Sequence, residues 1–163
     1  MPKKSHKIKL YILLVIAALG GLYYYNNSSV NAADALDPSL KGKKVTVYKS
    51  PTCGCCANYI SYLRKNGLEV EVVNENDVTK TKEKYRIPAD LYSCHTTIID
   101  DYFVEGHIPL KAINKLLTEK PDILGIGMPG MPSGSPGMPG KKLSLFLIDA
   151  VDKDGNINSY FEL

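Results

Sequence analysis

Three of the four cysteines crowd into one short run, Cys53-Gly54-Cys55-Cys56. Cys53 and Cys56 stand at the C-x-x-C spacing that serves either dithiol exchange or the clamping of one metal ion. Cys55 is the extra thiol. Dithiol exchange needs two sulfurs, whereas a cluster of soft monovalent ions gains from a third, bridging one, and thiolates with thioethers select Cu(I). The fourth cysteine, Cys94, lies in Ser93-Cys94-His95-Thr96, beside a side chain able to supply a nitrogen ligand. His107, in Glu105-Gly106-His107-Ile108-Pro109, is a further nitrogen candidate, although a lone histidine is more often a hydrogen-bonded structural residue. Met128, Met131 and Met138 are three of the four methionines, the other being Met1. Methionines at helical or strand spacing are usually core filler, but these follow neither period. Thioether ligation, or a soft approach path for Cu(I), is their functional reading.

These residues need elements to hold them. Lys44 to Tyr48 alternates and is β-rich, so a strand is expected there, broken by Ser50-Pro51-Thr52. A helix is expected from Gly54 to Lys65, with Ile60 and Leu63 inward and Gly67 just past its end. The C-G-C-C run therefore falls where a strand hands over to a helix. Unpaired N–H groups and partial positive charge in a helix's first turn stabilise thiolates and lower their pKa. Leu68 to Val73 reads as a second strand, and Asp77 caps a short helix ending at Lys84. Thr96–Ile99 and Tyr102–Glu105 read as a hairpin turning at Asp100-Asp101. Pro109 then opens a helix with an apolar stripe of Leu110, Ile113, Leu116 and Leu117, stopped before Pro121.

The resulting order, β-α-β-α-β-β-α, is that of a thioredoxin-like domain: α/β, one mixed sheet with flanking helices. In that fold the loop before the third strand sits beside the C-x-x-C helix end, where redox enzymes carry a cis-proline. Here Cys94-His95 occupies the place, which favours a metal site. Residues 127–140 hold five Gly, four Pro and three Met and suit neither helix nor strand. Leu143–Ile148 and Ile157–Phe161 read as a C-terminal β-hairpin about Asp154-Gly155-Asn156, packing on the main domain.

The N-terminus is of another kind. Lys3, Lys4, Lys7 and Lys9 precede Leu10 to Tyr25, a stretch with no charge. Basic residues, an apolar run and small residues at Val30-Asn31-Ala32 form the layout of a secretory signal cut after Ala32. The alternative is a retained hydrophobic anchor helix, with Tyr23, Tyr24 and Tyr25 at the outer interface. Either reading carries the rest of the chain out of the cytoplasm. The expected organisation is a signal or anchor at 1–32, a tether at 33–43 and a metal-binding domain at 44–163. With four of the 20 basic residues in the leader, 16 remain against 17 acidic ones, so the domain has no electrostatic footprint for nucleic acid. Phosphate loops, H-E-x-x-H and G-x-S-x-G are absent from the sequence. Asp152, Asp154 and Asn156 lack the twelfth-position Glu of a calcium loop and read as a turn.

In an exported protein four cysteines would ordinarily make two disulfides. Dithiol–disulfide redox through Cys53 and Cys56 and a soft-metal site are the other two readings, and the third thiol with Cys94-His95 favours the metal.

Taken together, Val47 to Cys56, Ser93-Cys94-His95-Thr96, Val104 to Pro109 and the Pro-Gly-Met-Pro-Ser-Gly-Ser-Pro-Gly-Met stretch at 129–138 resemble the CopG-type copper-resistance family. The resemblance covers residues 44–163. It implies a thioredoxin-like fold in an exported, periplasmic protein, with Cys53, Cys55, Cys56 and Cys94 holding a multinuclear copper cluster. It also implies copper sequestration, or hand-over to other exported copper-handling proteins, for resistance. Interconversion of Cu(I) and Cu(II) is a role proposed for that family.

Overall fold

A computed structural model describes residues 11–21 and 35–163. The chain divides into two units, Met1–Ala35 and Leu36–Leu163. In the first, residues 11–21 form an exposed helix. At about 1.5 Å per residue it spans about half of a bilayer's ~30 Å hydrocarbon core. Among the described residues no helix is long and apolar enough to cross a membrane, so the expected anchor helix is not supported. The lysine cluster, the tyrosine triplet and the Val30-Asn31-Ala32 cleavage position lie outside the described residues, as do residues 33 and 34 of the expected tether.

The second unit contains β1 (Lys44–Lys49), α1 (Gly54–Lys65), β2 (Glu69–Asn74), α2 (Thr79–Lys84), β3 (His95–Ile99), β4 (Tyr102–Glu105), α3 (Leu110–Glu119), β5 (Ile123–Gly127), β6 (Leu147–Asp152) and β7 (Ile157–Glu162). The strands make one mixed sheet in the order β2-β1-β3-β4-β5-β6-β7. β1 runs parallel to β2 and antiparallel to β3, and β3 turns back on β4. That is the thioredoxin-like arrangement expected from the element order.

The helix boundaries have local causes. Gly67, at φ +102°, stands just past α1. It donates to the Arg64 carbonyl while Leu68 donates to that of Leu63, closing the helix with a Schellman pair. Asp77 accepts from the Thr79 backbone N–H at 3.0 Å ahead of α2. Asp100, at φ +51°, supplies the left-handed turn between β3 and β4.

The main core lies on one face of the sheet. There Tyr59 and Leu63 of α1 and Ile113 and Leu116 of α3 meet Val45, Val47, Val104, Ile126 and Ile148. Phe103 points the other way, to Ile87, Leu91 and Val151 beside α2, as strand alternation requires.

The C-terminal half departs from the sequence reading in two ways. Ile123–Gly127 is an additional strand, pairing parallel to β4 and antiparallel to β6. The hairpin therefore extends the main sheet edge to edge instead of packing on it as a separate piece. Its first strand also begins later than Leu143, which is 89% exposed. Asp152 fixes that register: its carboxylate accepts from the backbone of Asp154 and Asn156 at 3.0 and 2.8 Å, and so sets the turn. β5 escaped notice because two of its five residues are glycines, which normally weaken a strand.

One of those glycines is required by contact. A Cβ at Gly125 would lie 2.2 Å from the Phe103 carbonyl oxygen and 2.5 Å from its ring. Gly125→Ala is therefore expected to lower unfolding stability by about 1–3 kcal/mol, the usual cost of overpacking, as read by urea denaturation. An unchanged midpoint would contradict this close approach.

Candidate metal centre

The end of β1 and the start of β3 meet at one place, because Lys49 pairs with His95 in the antiparallel register. Just beyond Lys49 the chain turns and enters α1, and just before His95 stands Cys94. Cys53 caps α1 with sulfur: its Sγ accepts from the Cys56 backbone N–H at 3.3 Å. Cys53 and Cys56 form a disulfide, while Cys55 and Cys94 are free thiols. A two-disulfide staple is thus not what the four sulfurs make. Cys55 Sγ lies 3.5 Å from Cys53 Sγ and 3.7 Å from Cys94 Sγ, so the third thiol bridges the helix turn to the β3 loop. All four sulfurs lie within 4.8 Å of one another.

A second set of donors shares Cys94. Its Sγ is 3.4 Å from His95 Nδ1 and 3.2 Å from His107 Nε2, and these three atoms too lie within 4.8 Å of one another. Neighbours along an extended strand point to opposite faces, but Cys94 sits in a bend one residue before β3, so both side chains reach the same spot. Both imidazoles are buried, at right angles and 4.8 Å apart, with the ring of buried Tyr59 against each. Tyr59 is itself fixed by donating its hydroxyl to the Ile108 carbonyl at 2.9 Å. His107 Nδ1 lies 2.7 Å from the Pro136 carbonyl, which only an N–H can satisfy, and this leaves the Nε2 lone pair facing Cys94.

A chain with this geometry can be set beside known proteins. It matches two solved structures of copper resistance protein CopG, Form 1 and Form 2, at 35% identity with TM-scores of 0.69 and 0.70. The matches cover 76% of this chain and 98% and 99% of those chains. This chain belongs to the CopG family. Within it, residues 91–138 match the family described as a protein of unknown function, DUF411. Two curated relatives from Escherichia coli (strain K12), a putative arsenate reductase-like protein and a putative arsenate reductase, are each 26% identical over 84 residues, 45% of this chain and 81% of theirs.

The CopG-family loop of residues 128–146 contains neither helix nor strand, yet it is closely held. A Cβ at Gly137 would stand 2.7 Å from the Tyr59 backbone nitrogen and 3.1 Å from the Cys55 carbonyl oxygen, so the loop lies directly on the first turns of α1. Asn58 donates to the Gly137 carbonyl at 3.3 Å. The three methionines fare differently: Met128 is packed in the main core, Met138 is half-buried and Met131 is exposed.

Sequence reading missed one feature. Glu105 and Lys82 form a fully buried ion pair. The Glu105 carboxylate also accepts from the Ser93 backbone N–H and from the Thr96 hydroxyl, each at 2.6 Å. It thereby grips the chain on both sides of Cys94-His95. Lys82 was hidden because it sits among the charged residues of α2, where nothing but the fold shows that one of them turns inward.

Burial sets the electrostatics. It raises the Glu105 carboxyl, opposed by the Lys82 ammonium. It lowers both histidines, His95 well below the usual value and further depressed by His107 and Lys82, so both rings are neutral and competent as ligands. The Cys94 thiol is pushed up to about 12, first by burial and then by Cys55. Cys94 stands off α1, so the lowering expected for thiols at a helix start does not apply to it.

In the metal-free protein with its disulfide intact, alkylation of Cys94 by iodoacetamide should accordingly keep accelerating from pH 9 to near pH 12. An ordinary thiol levels off soon after its pKa near 8.5. Peptide mapping of the alkylated site over that range measures it, and a plateau by pH 10 would show that Cys94 is not held protonated.

Proposed function

We propose that this protein binds copper as cargo, holding Cu(I) in a multinuclear cluster on Cys53, Cys55, Cys56 and Cys94. The observation that carries this reading is the third sulfur. Cys55 spans the gap between the helix turn and Cys94, a position useless to dithiol exchange but natural for a thiolate shared between soft ions. The copper resistance named for its CopG relatives supports the choice of metal. His95 and His107 stand as nitrogen ligands at the edge of the cluster, and Met128, Met131 and Met138 are the weaker, thioether candidates. Sequestration, or hand-over to another copper-handling protein, is the resulting role.

Loading requires the Cys53–Cys56 disulfide to be reduced first, since a disulfide sulfur is a poor ligand and the thiolate is the binding form. That same disulfide favours a second reading, a thiol–disulfide oxidoreductase with Cys53 as nucleophile and Cys56 as resolving thiol.

One pair of measurements separates the two. The reduced full chain, reconstituted with Cu(I) without oxygen and desalted, should retain more than one copper, and Cys55→Ser should lose at least half of it. Insulin-reduction activity that survives both Cys55→Ser and a copper chelator, with no copper retained by the native protein, would install the oxidoreductase instead.

We further propose that residues 1–32 direct export, with residues 33–43 as a tether and 44–163 as the extracytoplasmic domain. The basic, then apolar, then small-residue layout supports this. In cells making the full chain, the protein should appear in the osmotic-shock fraction with a new N-terminus near Ala33. Retention in the cytoplasm with residues 1–32 intact would refute it.

A further inference from the structure

Away from the metal centre, the apolar side chains of the Leu36–Leu163 unit are well covered except in one place. Among its described residues the large apolar side chains left in solvent are Met131, Leu143, Leu145, Leu147 and Ile157. Three of these fall within five consecutive positions, with Leu143 89%, Leu145 60% and Leu147 58% exposed. A single exposed leucine needs no explanation, but a cluster marks an interaction site. Lys141 and Lys142 stand exposed directly before it. We infer that Lys141, Lys142, Leu143, Leu145 and Leu147 form a lipid-facing edge that rests on the surface of an anionic phospholipid bilayer. The inference is independent of the copper reading.

The leucines are held outward on a fixed backbone. Leu145 and Leu147 alternate with Phe146 and Ile148, which enter the main core, as an extended chain requires. Phe146 donates its backbone N–H to the Leu163 carbonyl at 2.7 Å, and its own carbonyl accepts from the Leu163 N–H at 3.1 Å. At the other end, a Cβ at Gly134 would stand 2.3 Å from the Lys142 backbone nitrogen, so the lysine pair lies tight against that glycine. Lys142 Nζ is 4.8 Å from the centre of the Phe146 ring. With the segment already ordered at both ends, little conformational freedom is lost when its side chains enter another medium.

Charge and area choose the occupant. Neither lysine forms an ion pair among the described residues. The acid closest by strand register, Glu162 opposite Leu147, stands at the far end of the segment from them. Apolar side chains beside unpaired ammonium groups match a boundary where acyl chains lie below and phosphates above. The leucines enter the acyl region while the lysines meet the headgroups. Three leucine side chains amount to roughly a few hundred Å², well below the ~800 Å² that each partner buries in a standard protein interface. A second copy of this chain therefore finds too little surface here, whereas a bilayer needs only a shallow edge.

The test uses the full chain, which contains no tryptophan, so Leu145→Trp supplies a single fluorophore in the edge. Glu71→Trp supplies one on β2, at the opposite side of the sheet. On vesicles of phosphatidylglycerol and phosphatidylethanolamine, the Leu145→Trp emission should move to the blue by about 10 nm. Brominated acyl chains should quench at least half of it, as a depth of about 5–10 Å requires. The Glu71→Trp emission should do neither. Phosphatidylcholine vesicles should leave both unchanged, and adding Lys141→Glu with Lys142→Glu should abolish the Leu145→Trp response. Because the fluorophore reads its own depth, any lipid contact made by residues 1–32 leaves this signal untouched. An unshifted Leu145→Trp emission overturns the inference, whether or not the chain sediments with the vesicles. An equal response at both positions, or on phosphatidylcholine, overturns it too. A blue shift that grows with protein concentration in the absence of lipid would give the edge to a second copy and overturn the lipid assignment.

Discussion

The antiparallel pairing of β1 with β3, Lys49 opposite His95, is the constraint on which the rest of the molecule depends. It sets the exit of one strand against the entrance of the next. Whatever residues follow the first and precede the second are then forced together. Here they are the capping turn of α1 and Cys94. A slip of one residue would turn every side chain of β3 to the opposite face of the sheet. His95 would leave the main-core side, where Tyr59 receives it, and Thr96 would lose its bond to Glu105. The buried Lys82–Glu105 pair works against that slip. Its carboxylate grips Ser93 and Thr96 simultaneously, which only one register allows.

Much of this was legible beforehand, and for identifiable reasons. α1 coincides with the expected Gly54–Lys65, since a cysteine-rich start after a proline break and a glycine at its end mark both limits. β4 coincides with Tyr102–Glu105, and α3 lies between its two prolines. The meeting of Cys94 with the C-G-C-C turn followed from the topology alone. What was not legible is what only three dimensions reveal. β5 carries a glycine at 125 because Phe103 crowds that position, and a strand with two glycines among five residues has no sequence signature. That Lys82 is buried cannot be seen in a run reading Thr-Lys-Thr-Lys-Glu-Lys. His107, two residues past β4, gave no more signal than an ordinary structural histidine. Its alignment comes from a carbonyl 29 residues further along the chain.

The sulfurs show how two chemistries share one turn. At the start of α1 the helix offers open N–H groups, and a sulfur already answers one of them. Forty residues on, Cys94 is removed from that field and packed beside uncharged rings, so its thiol resists ionisation. The helix-capping sulfur and the thiol of Cys94 nonetheless lie within 4.8 Å of one another. A cation bound through Cys94 must displace that proton, so acid competes with it there.

Gly137 carries a consequence of another kind. With no side chain it rests directly on the helix backbone, and the proline before it aims the carbonyl that orients His107. The glycine- and proline-laden tract around it has the composition usually associated with slack linkers. In this molecule the tract acts as a mould, cast against α1, whose fit depends on what has been left out at one position. Swapping the methionines would alter its chemistry, but enlarging that one glycine would lift the whole casting away from the helix.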